Sequence, residues 1–96
     1  MSDDYQIPIP RSFEALYTDS RRRLTLPLAE FRQRYDLCED MAQLMVERCK
    51  SVHHGQGVAE DIVLERVLAG LLDPASGLPA AEARWIVTRL AELLAW

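Results

Sequence analysis

Apolar residues recur at alternating spacings of three and four through the middle of the chain: Leu28, Phe31, Tyr35, Cys38, Ala42, Met45, Cys49 and Val52. This period predicts one amphipathic helix of about seven turns, with a single face turned to a core. Pro27 fits its first turn, where a missing N–H costs nothing, and Gly55 is placed to end it in a left-handed conformation just after His53. Such a helix is about 37 Å long, more than the roughly 32 Å expected across a globule of this size, so it either bends or overhangs. Asp36 followed by Glu39 is a capping-box-like place for a bend, whereas an overhang offers an apolar seam to a second copy and so a homodimer.

Two shorter stripes follow. Leu64, Val67, Leu68, Leu71 and Leu72 line a helix over about residues 59–72, with Ile62 on the opposite side. Ala83, Ile86, Val87, Leu90, Leu93 and Leu94 line a last helix from about Pro79 to the end, after a turn at Asp73-Pro74-Ala75-Ser76-Gly77. Ahead of the long helix, Ile7-Pro8-Ile9-Pro10 holds two prolines that favour extended backbone and exclude a helix interior. Ser12 can cap a short helix that carries Phe13, Leu16 and Tyr17 on one side and ends near Asp19-Ser20, with residues 21–26 as a connector. No segment alternates with period two. The expected fold is all-α, a small bundle of three to four helices with an extended N-terminal arm, divided as residues 1–22 (arm with a short helix) and 23–96 (helical bundle domain).

Ninety-six residues, 49% hydrophobic and 27% charged, suit one globular domain and exclude the low-hydrophobicity regime of disorder. A net charge of −4 opposes general binding of nucleic acid, which needs a basic field to displace counterions. The charge is uneven, however. Five arginines (Arg21, Arg22, Arg23, Arg32 and Arg34) against Glu30 make residues 21–34 a basic patch on an acidic body, and this patch carries the alternative reading of a homodimeric regulator associated with nucleic acid. Asp3 and Asp4 at the N-terminus are the reverse of a signal peptide, and no uncharged run approaches a membrane span, so the expectation is a cytoplasmic protein with reduced thiols and no membrane.

Candidate chemistry is sparse. Cys49 and His53 at i, i+4, with His54, form the one metal-like cluster, but four ligands are needed and Cys38 lies about 16 Å away along the same helix. Cys49 then packs as a small apolar residue and the histidines sit at a helix C-terminus. A phosphate loop is missing, since Gly55-Gln56-Gly57 opens into Val58-Ala59 and Lys50-Ser51 has no preceding glycine. Neighbouring carboxylates, Glu39 with Asp40 and Glu60 with Asp61, diverge by about 100° on a helix and suit solvated surface. No catalytic, cofactor or metal residues are assigned, and the expectation is a protein that is not an enzyme.

Two features point to recognition of another protein. Trp85, Arg89 and Trp96 line an edge of the last helix, and Trp and Arg are enriched at interface hot spots. The arm, with Ile7, Ile9, Phe13, Leu16 and Tyr17, has the form of a linear motif: extended backbone, then a short anchor helix. These eight residues are the candidate partner-binding set. The competing reading is that the arm folds back and covers the tryptophans to complete the core.

Pro10, Ser12-Phe13, Ala15-Leu16-Tyr17, Arg34-Tyr35-Asp36-Leu37-Cys38-Glu39-Asp40-Met41-Ala42, Val63-Leu64-Glu65-Arg66 and Arg89-Leu90-Ala91-Glu92-Leu93-Leu94 before Trp96 resemble a group of short betaproteobacterial proteins often labelled "ATPase with chaperone activity". The resemblance spans most of the chain. It implies a bacterial cytoplasmic setting, a connection to chaperone machinery and an adaptor role beside a larger assembly. The nucleotide-hydrolysing half of the label has no phosphate loop to carry it in these residues.

Overall fold

Three of the four helices open on a proline. In the computed structural model, which describes residues 8–96, Pro10, Pro27 and Pro79 stand as extended N-cap residues directly before α1 (Arg11–Glu14), α2 (Leu28–Gln56) and α4 (Ala80–Leu94). Ala59 plays the same part for α3 (Glu60–Leu72). None of these caps offers a side-chain acceptor; the cap carbonyl takes the first helical N–H instead, as from Phe31 to Pro27 at 2.9 Å and from Ala83 to Pro79 at 3.0 Å. A proline suits that position because its locked φ is already that of extended backbone entering a helix. The four helices and the absence of strands among the described residues make this an all-α small bundle.

Several boundaries differ from the sequence expectation. Ser12 lies inside α1 and does not cap it, and α1 gives way after Glu14 to a 3-10 turn, Ala15–Tyr17. Pro27 stands just outside α2. That helix runs unbroken through Asp36 and Glu39, and it ends at Gly57 (φ 69°), not Gly55, because Gly57 takes the left-handed conformation that other residues resist. His53 helps to close the crossing to α3: its Nδ1 lies 2.6 Å from the Val58 carbonyl, to which it donates when protonated there.

Pairs between helices fix their directions. Arg34 meets Glu82, Glu39 meets Arg89, and His53 meets Trp96, so α2 and α4 run parallel, with α3 antiparallel between them in sequence. Helix α4 packs on both others along its length, whereas α2 and α3 meet over a shorter stretch. The 29-residue α2 sets the 47 Å long axis of a molecule only 30 by 22 Å across. Core contacts follow the unbroken helix from Phe31 to Val52, and the molecule is elongated along with it.

The core has two centres. The first gathers Phe13, Phe31, Tyr35, Cys38, Ala42, Leu71, Ala83, Trp85 and Ile86; the second holds Cys49, Val63, Leu90 and Leu94, with Met45 and Val67 packed against both. The expected stripes account for nearly all of these positions. Leu28 is a correction, since it lies beyond the core at the start of α2 and is mostly exposed, and Leu72 likewise turns outward at the end of α3. Val63, not Leu64, is the deeply buried residue of the first turns of α3.

Candidate interaction surface

The described part of the arm docks on its own domain. Phe13, fully buried, stands with its ring 5.8 Å from Phe31, 5.5 Å from Tyr35 and 5.1 Å from Trp85, the last two edge-on. Trp85 Nε1 donates a 2.9 Å hydrogen bond to Ser12 Oγ, which explains why Ser12 is not a cap: its hydroxyl is taken by the indole. Ile9, Leu16 and Tyr17 are half-buried against the same cluster. Phe13 and Trp85 are therefore core residues and not an exposed recognition edge, because edge-on aromatic packing and the indole hydrogen bond are satisfied within the chain. Ile7 lies outside the described residues. Trp96 is half-buried against the second core centre, with the His53 ring 5.1 Å away between centroids.

Arg89 is also engaged internally. Its Nε and Nη2 donate to the two carboxylate oxygens of Glu39 at 2.8 and 3.0 Å, and Nη1 donates to Glu92 at 3.3 Å. The fork fixes the register of α2 against α4. These hydrogen bonds from Arg89 hold the Glu39 carboxyl below the usual carboxylate range, against the opposing effect of partial burial.

Sequence reading passed over the most buried charge in the molecule. Glu82, in the first turn of α4, is fully buried. Arg34 grips it from α2, with Nε donating to Oε2 at 2.9 Å and Nη2 donating to Oε1. The Tyr17 hydroxyl, from the turn after α1, donates to Oε2, and the Cys38 thiol also hydrogen-bonds the carboxylate. Burial pushes the Glu82 carboxyl up, but the hydrogen bonds from Arg34, Tyr17 and Cys38 outweigh it and hold the group below its ordinary value. Conversely, burial and the facing carboxylate push Tyr17 and Cys38 each up to about 12. A signal existed: Glu82 stands one turn before Ile86 and Arg34 one turn before Cys38, each continuing a buried stripe. Chemically, the site ties three segments together. Its carboxylate meets four donors from its own chain and has the form of a structural anchor.

The two carboxylates and the two raised groups define a pH window. Glu82 and Glu39 sit below 4.5 when folded, so their contribution is present above the unfolded value and is lost as pH falls through the folded one. Tyr17 and Cys38 rise from 10.0 and 9.0, so theirs is complete below pH 9 and is lost as pH climbs toward 12. Urea midpoints followed by circular dichroism should therefore be level between about pH 5 and 9 and fall on both sides. A midpoint that holds steady down to pH 3 would contradict this assignment.

The basic patch is broken up. Arg34 is withdrawn from it by Glu82, so it does not face a phosphate as the nucleic-acid reading required, and Arg32 is half-buried. Arg21, Arg22 and Arg23 remain exposed in a tight turn organised by Asp19, whose Oδ1 accepts from the Arg21 and Arg23 amides at 2.8 and 2.9 Å. Arg23 also pairs with Asp19 at 3.4 Å, and Arg22 takes a left-handed φ of 61° to close the turn. Cys38 and Cys49 are both buried free thiols, and among the described residues no group of three or more His, Cys, Asp or Glu side chains could hold a metal ion.

What the bundle does expose is a second stripe on α2. Leu37, Met41 and Leu44 follow at i, i+4 and i+7, with Leu44 80% and Leu37 41% exposed and Met41 half-buried. Arg48 extends the stripe by one turn, to the mouth of a hollow between α2 and α3. The sequence contained this second stripe, flanking the core one. The longer core stripe obscured it. Among the described residues no helix is long and apolar enough to cross a membrane. Neither the family models, nor the curated proteins, nor the solved structures contain a match to this chain.

Proposed function

We propose that this chain is a non-enzymatic protein-interaction module, an adaptor, whose contact surface is the outer face of α2. The observation that carries this reading is Leu44, four-fifths exposed in the middle of the longest helix and in line with Leu37 and Met41. Single exposed leucines are ordinary, but an aligned stripe on a rigid helix is the form that helix-in-groove contacts take. The internal engagement of Glu82, Tyr17 and Arg34 supports a structural rather than catalytic use of the best-formed polar cluster. The adaptor role implied by the likeness to chaperone-labelled betaproteobacterial proteins agrees with this reading, as does the lack of a phosphate loop.

Replacing both leucines, Leu37→Asp with Leu44→Asp, tests it. Helical content and thermal midpoint should stay near those of the unchanged chain, since neither side chain is buried. Proteins retained from the native host's lysate by the unchanged chain should be lost from the variant, or self-association measured by sedimentation should disappear. Identical retention and identical sedimentation of two well-folded proteins would sink the reading.

A further inference from the structure

The hollow beyond Leu44 has a volume of about 280 Å³ between α2 and α3. Its floor is apolar, made by Cys49, Val52, Val63 and Val67, and two guanidinium groups, Arg48 from α2 and Arg66 from α3, stand at its edge. These arginines differ from those that organise the fold. Arg34 has Glu82, Arg89 has Glu39 and Arg23 has Asp19, whereas neither Arg48 nor Arg66 has a carboxylate partner among the described residues. Arg11 and Arg22 line another hollow, but Glu14 lies within it and supplies the counter-charge. Between α2 and α3 positive charge and apolar surface coincide with no acid to balance them.

Resting on the reading of α2 as the contact face, the geometry points to a specific occupant: an amphipathic helix of another protein, with carboxylates along the flank that meets Arg48 and Arg66. Its apolar side covers Leu37, Met41 and Leu44 and reaches the valine floor. Its carboxylates pair with the two guanidinium groups. Arginine presents a planar fork that binds a carboxylate through two parallel hydrogen bonds, so the pair sets register as well as sign. A basic helix in the same place would set like charges against the two guanidinium groups, which disfavours it as a partner. The opposite edge of the stripe carries Asp40 and Glu47. The occupant is therefore acidic on one flank only.

The test uses the full chain and two synthetic helical peptides with leucines at i, i+4, i+7 and i+11. One carries glutamates along a single flank; the other has lysines in their place. Binding is read by fluorescence anisotropy and located by amide chemical-shift mapping. The glutamate peptide should bind about tenfold or more tightly than the lysine peptide, with shifts on α2 and α3 around residues 37–52 and 63–70. Arg48→Glu with Arg66→Glu should invert the preference, and Arg48→Gln with Arg66→Gln should abolish it should the reversal disturb folding. Equal binding of the two peptides, shifts elsewhere, self-association of the chain in place of peptide binding, or a preference unchanged by the variants would each overturn the proposal. Loss of lysate partners on changing Leu37 and Leu44 would survive any of these results, so failure of the charge rule and failure of the contact face are separable.

Discussion

Phe13→Ala is expected to destabilise the protein by about 3–5 kcal/mol, the usual cost of truncating a buried phenylalanine. Typical domains have only about 5–15 kcal/mol in total, so a substantial share of the margin goes with one side chain outside the three long helices. The reason is its position. Phe13 is fully buried, and its ring lies within 6 Å of those of Tyr17, Phe31, Tyr35 and Trp85, so removing it opens a cavity that none of these aromatic neighbours can collapse to fill. Deleting residues 1–20 should have the same effect, also exposing the Trp85 indole that Ser12 now satisfies. Denaturant titration followed by tryptophan fluorescence is the check. A truncated chain as stable as the full one would mean that the arm is an appendage after all.

Glu82→Ala is the second large effect, expected to cost about 2–4 kcal/mol. Its size comes less from lost attraction than from what remains: the Arg34 guanidinium, two-thirds buried, and the hydroxyl and thiol of Tyr17 and Cys38 all lose their acceptor together. That argument has a distinguishing consequence. Replacing both charges with apolar side chains of similar length, Arg34→Met with Glu82→Met, should be far less harmful than Glu82→Ala alone, because no cation is then left without its partner. Equal losses in the two variants would show that Glu82 acts through packing and not through charge. Thermal unfolding of the three proteins at neutral pH settles which.

Much of this was legible in the pattern of apolar positions. The stripe from Phe31 through Cys49 marks the buried face of α2, and Ala83, Ile86, Leu90 and Leu94 mark that of α4, because a helix that must bury one face writes its period into the chain. The turn at Pro74 and the helix starts near Pro27 and Pro79 were equally plain, since proline constrains its own backbone regardless of surroundings, whereas the short first helix starts after Pro10 and not at Ser12. The candidate recognition residues fared differently. Trp85, Phe13 and Arg89 have the composition of a hot spot, but composition is shared by interfaces and cores, and only the docking of the arm decides between them.

The helices, their apolar faces and the all-α class follow from local backbone preference and from side-chain spacing within a few turns, and so are written in the chain itself. Packing between helices decides that core contacts follow α2 from Phe31 to Val52, that Glu82 is a buried anchor held by Arg34, and that Leu37 and Leu44 are left exposed with Met41 half-buried between them. Each of these depends on which segments meet across tens of residues, as Arg34 meets Glu82 and Ser12 meets Trp85. Such meetings are settled by the packing of whole helices against one another, where a charge on a stripe becomes core or surface according to what lies opposite it.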